Sequence, residues 1–450
     1  MNRPWGETAR IPSLAVSRLP VFLLAGFALA LCRPVKPGQE PATADVTIRG
    51  NIVSYLYAPA PPAAMEAPLL VYVRGTGGSD PAANEQSVKA VFETWRGATA
   101  AQGWHLLMPA LGAGHAAVHD GAVTVLAAML EDFATRFKVD RTRVYLAGDT
   151  EGANLVFYAA SRTPDLWTAA LAIQGHPKPA IDTNRLFGAN TSLVPVRWLV
   201  RAEDRERVRP FLAKLKSAEY NVELAGLDNA SLGQTLEWLG ARKRDRFPLK
   251  IDCETGNPAF ARCYWIELTG FDPARRNDVL RPGRVPPGSG AYLALGGFGY
   301  DATQPGPGIT VSWLPPNYTG PLKLGDRILA IAGKPIANAD EYARLLEETA
   351  EEKAVAIRVQ RGKEQIRLET RILLPKREEL ITARVRAEYS PESGEVLVLT
   401  RAVKTFRITI PKSWTPVSIN WNGNVVLEAR EGGCWNVTED GSPTARPCEG

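Results

Sequence analysis

Between residues 45 and 245, apolar runs of strand length alternate with stretches in which apolar residues recur at helical spacing. "APLLVYVRG" (67–75), "GWHLLMPA" (103–110), "RVYLAGD" (143–149), "WTAALAIQG" (167–175) and "VPVRWLVRAED" (194–204) are rich in Val, Leu, Ala and Ile. Such runs belong to strands covered on both faces. Stretches 121–137, 152–162 and 205–218 read as helices between them. The alternation predicts a doubly wound α/β domain over 45–246.

The pattern changes near residue 247. "LKIDCETGNPAFARCYWIELTGFD" (249–272) reads as a β-hairpin, and the Pro/Gly-rich 281–290 reads as a linker. Residues 291–375 form a unit of short strands with one clear helix, "NADEYARLLEETA" (338–350). After it, 383–400 and 404–414 alternate at period two, the signature of antiparallel strands. Asn422-Gly423 marks a hairpin turn within "WNGNVVLEAREGGCWNV" (421–437). These readings predict a small antiparallel β domain split between 247–280 and 376–450, with the 291–375 unit inserted in it.

At 450 residues and 45% hydrophobic, the chain can bury several cores. The net charge of +5 is mild, and basic residues are interspersed with acidic ones, so no nucleic-acid partner is expected. No repeat period is visible, which excludes a solenoid or propeller. The N-terminus changes the picture. Arg3, Arg10 and Arg18 precede the apolar run 19–32 and a polar, Pro-rich exit, which together describe a secretory signal over 1–32 followed by a linker, 33–44. The run falls short of the roughly twenty residues of a spanning helix. Export to the bacterial periplasm or cell envelope follows. Cys32 stands where a bacterial lipoprotein carries its lipid, although Leu31 occupies a position that favours a small residue. Membrane contact would come only through that lipid or an uncleaved N-terminal segment.

The four remaining cysteines fall in two local pairs, Cys253 with Cys263 and Cys434 with Cys448. In an exported protein these are candidate disulfides, the alternative being four buried thiols. No Cys-x-x-Cys spacing occurs, so no zinc site is expected, and neither metal nor cofactor is called for.

The candidate chemistry centres on "VYLAGDTEGANLVFYAA" (144–160). A strand enters a turn bounded by Gly148 and Gly152, with Thr150 at its tip, and a helix follows: the layout of a nucleophile elbow. Residues 45–245 resemble the α/β-hydrolase family, in particular secreted esterases of the phospholipase/carboxylesterase type. "RGTGG" (74–78) is similar to that family's His-Gly-x-Gly-Gly oxyanion loop, which implies roles for the backbone of Gly75, Gly77 and Gly78. By the same resemblance Asp204, in "WLVRAEDRERV", takes the acid position. Asn229, in "LAGLDNASLGQTLEWL", takes that of the histidine base. The chain's histidines are His105, His115, His119 and His176, all before Asp204, whereas the family's order puts the base last. A hydroxyl attacks an acyl carbon only when a base takes its proton, and a β-branched residue resists the strained tip. The expectation is a degenerate triad of Thr150, Asp204 and Asn229. In the alternatives, His115, His119 or His176 reaches Thr150 from another direction, or Glu151 and Asp204 contribute to a pocket for a small molecule or glycan.

Residues 291–375 resemble a PDZ domain in the bacterial arrangement, on "GITVSWLPPNYTGPLKLGDRILAIAGKPI" (308–336), the helix after it and "VAIRVQRG" (355–362). The resemblance implies capture of a peptide or protein C-terminus as an added strand. The capturing loop would hold Leu295, Gly296 and Gly297, the groove strand would begin at Phe298 and Gly299, and Tyr342, Leu345 and Leu346 would line the helical wall. Alternatively this face packs against the hydrolase-like domain. Trp421 and Trp435 as a sugar platform is a lesser expectation than core packing. The reading is an exported, catalytically inactive scaffold that binds peptide or protein partners, with a Thr150-dependent esterase or a small-molecule binder as alternatives.

Overall fold

The computed structural model describes residues 41–450 apart from 49, 61–65, 76–80, 110–117, 229, 276–278, 302–303, 377–379, 441 and 449–450. The segment expected to be a secretory signal, with Cys32, and also Gly77, Gly78, His115 and Asn229, therefore lie outside the described residues.

The chain opens with strands β1 (Ala42–Ile48), β2 (Asn51–Ala58), β3 (Ala67–Arg74), β4 (His105–Pro109), β5 (Val139–Asp149), β6 (Ala169–Ile173), β7 (Val196–Val200) and β8 (Val222–Gly226). They form one eight-stranded sheet in the order β1-β2-β4-β3-β5-β6-β7-β8. β3 to β8 run parallel, and the β1–β2 hairpin adds antiparallel at the β4 edge. Helices α1 (Pro81–Ala101), α2 (Asp120–Arg136), α3 (Glu151–Arg162), α4 (Lys178–Asp182), α5 (Arg205–Ser217) and α6 (Leu232–Gly240) connect the strands. Successive side chains of β3 point to opposite faces. Leu69, Val71 and Val73 join a core with α2, α3 and α5, while Leu70 and Tyr72 join another with Phe92 and Trp95 of α1 and Leu236 and Leu239 of α6. Both faces are thus covered, the doubly wound arrangement expected from the uninterrupted apolar runs. Local signals set the helix ends: Ser231 and Gln234 form a reciprocal capping box on α6. The β1–β2 hairpin is not among the expected strands: β1 is largely exposed, whereas β2 carries the apolar Tyr55–Ala58 and buries Tyr55 and Leu56.

Next come β9 (Lys250–Thr255), β10 (Arg262–Cys263) and β11 (Ile266–Phe271). The Pro/Gly-rich 281–290 is packed: Val285 is fully buried and donates its N–H to the Leu186 carbonyl. The following unit contains β12 (Tyr292–Leu293), β13 (Gly299–Tyr300), β14 (Ile309–Trp313), β15 (Arg327–Ile331), β16 (Lys334–Pro335), α7 (Ala339–Glu347), β17 (Lys353–Arg361) and β18 (Glu364–Leu373). Its antiparallel sheet runs β12-β18-β17-β15-β14-β13, and α7 buries Tyr342, Leu345 and Leu346 in the same core as Ile309 and Ile357.

The chain ends in β19 (Ala383–Ser390), β20 (Glu395–Arg401), β21 (Val403–Ile410), β22 (Val417–Trp421), β23 (Asn424–Ala429), β24 (Gly433–Asp440) and β25 (Ser442–Pro447). Two five-stranded sheets result, β10-β11-β21-β24-β25 and β23-β22-β20-β19-β9. Both combine strands from before and after the 291–375 unit, and a shared core holds Val385, Phe406 and Trp421. The β domain read from the period-two pattern is present, with two corrections. Residues 249–272 hold only a short hairpin, β10 with β11; β9 does not join it but pairs with β19, while the far edge of β11 pairs with β21. The loop between β9 and β10 carries a Pro258–Phe260 turn of 3-10 helix and is too long to force pairing of its flanks. The sheets are also not wholly antiparallel. β21 crosses to the other sheet, so β22 returns beside β20 in the same direction. Trp421 is buried, donating its indole N–H to Thr400 Oγ1 at 2.9 Å, and so offers no sugar platform. The predicted turn is present at Asn422-Gly423, both with positive φ. Cys253–Cys263 ties the two sheets together, and Cys434–Cys448 joins β24 to the end of β25.

Candidate functional site

β5 delivers Thr150 to the carboxyl edge of the parallel strands, and α3 begins directly after it. Ligands of open α/β sheets bind at this edge. Thr150 has φ 50°, ψ −121°, a strained backbone for a β-branched residue. Packing imposes it. A Cβ on Gly152 would run into the Val73 carbonyl, and one on Gly148 would meet the Gly152 backbone and Val73 O at 2.8 Å. The turn is therefore clamped between β3 and α3, with the Thr150 N–H donating to Ile173 O at 3.1 Å.

Gly75 faces this tip. Thr150 Oγ1 and the Glu151 backbone nitrogen lie 2.5 and 2.7 Å from the point a Cβ on Gly75 would occupy, and Glu151 Oε2 lies closer still. In an acyl hydrolase the N–H after the nucleophile stabilises the developing oxyanion. Here that N–H is accompanied by its own residue's carboxylate. Arg74 does not offset this charge at the tip. It is almost buried and ion-paired with Asp149, with Nη2 donating to Ser87 Oγ at 3.0 Å.

None of the described histidines serves Thr150. His105 is held at both ring nitrogens, accepting from Ala60 N at 2.8 Å and meeting Lys138 O at 3.1 Å. His119 caps α2, its Nδ1 accepting from Ala122 N at 3.2 Å. His176 follows β6 close to the tip: its N–H donates to Asn154 Oδ1 at 2.7 Å, and its ring stacks on Phe211. Burial lowers the His176 pKa, and Arg207 and Lys178 lower it further, which favours the neutral ring. Its Nδ1 is buried without a partner. Among the described residues no hydrogen bond joins a histidine to Thr150. Asp204 lies after β7 at the same sheet edge, but its carboxylate meets Arg201 Nε at 3.3 Å. The structure thus gathers Thr150, Glu151 and Gly75, and leaves Asp204 engaged elsewhere. Sequence reasoning placed Glu151 only in a generic pocket; its position directly after the tip was the signal that its backbone and carboxylate share one spot.

The second candidate site lies in the 291–375 unit. Leu295 is buried, its carbonyl accepting from Tyr318 Oη at 2.5 Å. Gly296 has φ 77°, while a Cβ on Gly297 would meet nothing within 4 Å. Phe298 is half-buried, and Gly299 pairs with Trp313. Tyr342, Leu345 and Leu346 are buried in the unit's own core, and Tyr342 meets Tyr300 edge-on at 5.3 Å. The end of α7 approaches the α/β domain, where Glu347 receives Lys178 at 3.3 Å and Lys214 at 3.9 Å.

Among the described residues there is no cluster of His, Cys, Asp and Glu able to hold a metal, and no helix long and apolar enough to cross a membrane. Two disulfides suit an oxidising, exported environment.

No protein-family model and no curated protein matches the sequence. Solved structures with some likeness include esterases. A thermostable esterase shares 14% identity at a TM-score of 0.36, over 46% of this chain and 64% of its own length. A fungal esterase from Rhizomucor miehei shares 13% at 0.34, over 45% and 82%. A ferulic acid esterase shares 14% at 0.32, over 44% and 93%. Likeness at this level decides neither fold nor chemistry. The two-faced mixed sheet and the strand–turn–helix at Thr150 are what fit an α/β-hydrolase architecture.

Proposed function

We propose that the chain is an exported α/β-hydrolase-like scaffold that has ceased to hydrolyse esters and binds a peptide or protein C-terminus through a PDZ-type unit at 291–375. The bacterial cell envelope is its place of action, with Cys32 lipidation as one means of attachment. The observation that carries the reading is the Thr150 tip. No hydrogen bond joins a described histidine to its hydroxyl, and the Glu151 carboxylate sits beside the N–H that would stabilise an oxyanion. A full negative charge there opposes a second one, the reverse of preorganised stabilisation. Losing triad function alone costs about a million-fold in turnover.

The test is paired. Mature protein and Thr150→Ala are assayed against short-chain aryl esters, and both are titrated with a library of peptides bearing free C-termini. Equal background turnover, with peptide binding weakened at least about tenfold by Gly297→Asp, supports the scaffold. That substitution adds a carboxylate at a position with open space around it, facing the peptide's own terminus. Turnover lost in Thr150→Ala would overturn it. That second reading has one requirement already met, the strained φ of the tip and its approach to Gly75, which an inactive elbow held by the same packing also keeps.

A further inference from the structure

A cleft of about 370 Å³ lies between the α/β domain and the β domain. Its walls come from the loop after α3, from the connector between α6 and β9, and from the β10–β11 turn. Its charges do not balance. Glu131 is matched by Arg141 through two contacts of 2.5 and 2.8 Å, and Asp165 by Arg262 at 3.3 Å. Two more guanidinium groups line it. Arg244 is anchored by its N–H to Thr142 O and by Nη2 to Arg141 O at 2.6 Å, yet its Nε is buried with no partner. Arg246 is exposed and makes no ion pair or hydrogen bond among the described residues. Sequence reasoning passed over the local run Arg242-Lys243-Arg244-Asp245-Arg246 because charge is mixed over the chain as a whole.

The cleft is also built to hold its shape. Tyr264 sits at φ 52° in the β10–β11 turn, which the Cys253–Cys263 bridge holds at its base. Its hydroxyl donates across to Pro164 O in the α/β domain at 3.2 Å. Trp265 Nε1 donates to Pro248 O at 3.0 Å. Phe247 and Trp265 give the cleft an apolar wall beside the two arginines. The volume falls in the range of small-molecule sites. Arg244 shares the Asp165 carboxylate with Arg262, so four arginines line the cleft against the two carboxylates Glu131 and Asp165. That excess suits a dianion with several acceptor oxygens, and a phosphate monoester carries about −1.5 to −2 at pH 7.

We propose that this cleft binds a small organic phosphate, its phosphoryl group held by Arg244 and Arg246 and its organic portion lying on Phe247 and Trp265. The site is independent of the Thr150 tip and of the 291–375 unit.

The test titrates the full mature chain by calorimetry with inorganic phosphate, phenyl phosphate and phenol at pH 7. Phenyl phosphate should bind saturably and more tightly than inorganic phosphate, and phenol should not bind. Arg246→Glu, an exposed change that leaves the melting temperature in place, should weaken phenyl phosphate about tenfold or more. Phe247→Ala should erase the preference for phenyl phosphate over inorganic phosphate. Sedimentation with vesicles containing phosphatidic acid separates two sources of the same chemistry. Arg246-dependent capture assigns a lipid headgroup, and its absence alongside phenyl phosphate binding assigns a free organic phosphate. Non-saturating titrations, equal displacement by chloride, or affinity unchanged in Arg246→Glu would overturn the assignment.

Discussion

The elbow at Thr150 and the loop at Leu295–Gly299 are both rich in glycine, but only Gly297 of the loop is free of steric demand. Gly296 has φ 77° and a Cβ on it would lie 2.9 Å from the Tyr318 ring, while one on Gly299 would lie 3.2 Å from Trp313 Cβ. At the elbow each glycine is demanded by packing, since a Cβ on Gly148 or Gly152 collides with backbone of β3 or α3. In the loop, Gly297 faces open space and no neighbour requires it. The elbow's shape therefore belongs to the sheet-and-helix core and persists whether or not the tip reacts, so its presence does not report catalysis. Open space at Gly297 is shared with Gly50, Gly103, Gly325 and Gly333, so it fits a plain turn as well as an approaching ligand.

The sharpest way to break this contrast is to add a methyl group at each place. Gly152→Ala should cost about 3 kcal/mol, because the obstacle is a carbonyl in a central strand that cannot move aside. Gly297→Ala should stay within about 0.5 kcal/mol. Urea unfolding of the two variants measures both, and similar losses would mean that the loop too is set by packing.

The far end of the elbow's helix should respond almost as strongly. α3 ends in Arg162, which is buried against Phe260 and donates to Asp120 Oδ1 at 3.0 Å. Asp120 also accepts from Tyr158 and, across the domain boundary, from Asn257 at 2.8 Å. Burial pushes the Asp120 carboxyl up, but Arg162 and these donors outweigh it and hold it below the usual range. A depressed carboxyl adds stability that is present above the unfolded value of about 3.9 and lost as pH falls through the folded one. Asp120→Asn should cost about 3 kcal/mol at pH 7 by leaving Arg162 buried and unpaired. Its deficit should shrink as wild type is titrated down from about pH 4. A pH-independent deficit would mean that the pair contributes shape rather than charge.

Thr150 itself is expected to act in the opposite direction. Replacing a β-branched residue at φ 50° with glycine relieves strain of the order of 1 kcal/mol, so Thr150→Gly should raise the unfolding free energy by about that much. A gain in stability without loss of any function would mark the hydroxyl as a relic. A gain bought with lost turnover would revive the hydrolase reading.

How far the sequence carried this reading depended on whether local pattern or long-range pairing set each feature. The runs at 67–75 and 143–149 declared buried strands because both of their faces are covered, and "GDTEG" declared its turn because sterics fix its glycines. The destination of β9 was not legible. Alternation says that residues 250–255 form a strand, but only the pairing with residues 383–388 says which sheet it joins. Core packing of Trp421 is the stronger expectation from sequence, and its burial against Phe406 bears that out. The expectation that no histidine follows the acid position came from where the histidines stop, at His176. The Glu151 carboxylate at the tip, and the arginine excess of the cleft around Arg244 and Arg246, needed three-dimensional neighbours.

The smallest effect tests the boundary between the two candidate regions. Lys178 follows β6 in the α/β domain, and Glu347 ends α7 beside the proposed groove; their contact is 3.3 Å with both side chains partly exposed. Lys178 also pairs with Asp182 at 2.7 Å, so removing Glu347 leaves the lysine with a partner. A double-mutant cycle of Lys178→Met and Glu347→Gln should therefore give a coupling of about 0.2–1 kcal/mol. That coupling should weaken as salt is raised, because the pair is open to solvent. If it is real and also shifts peptide affinity, α7 senses the α/β domain, and the elbow and the groove belong to one device. If the cycle closes at zero in low salt, the contact is a neighbourly one, and the two regions evolve and fail separately.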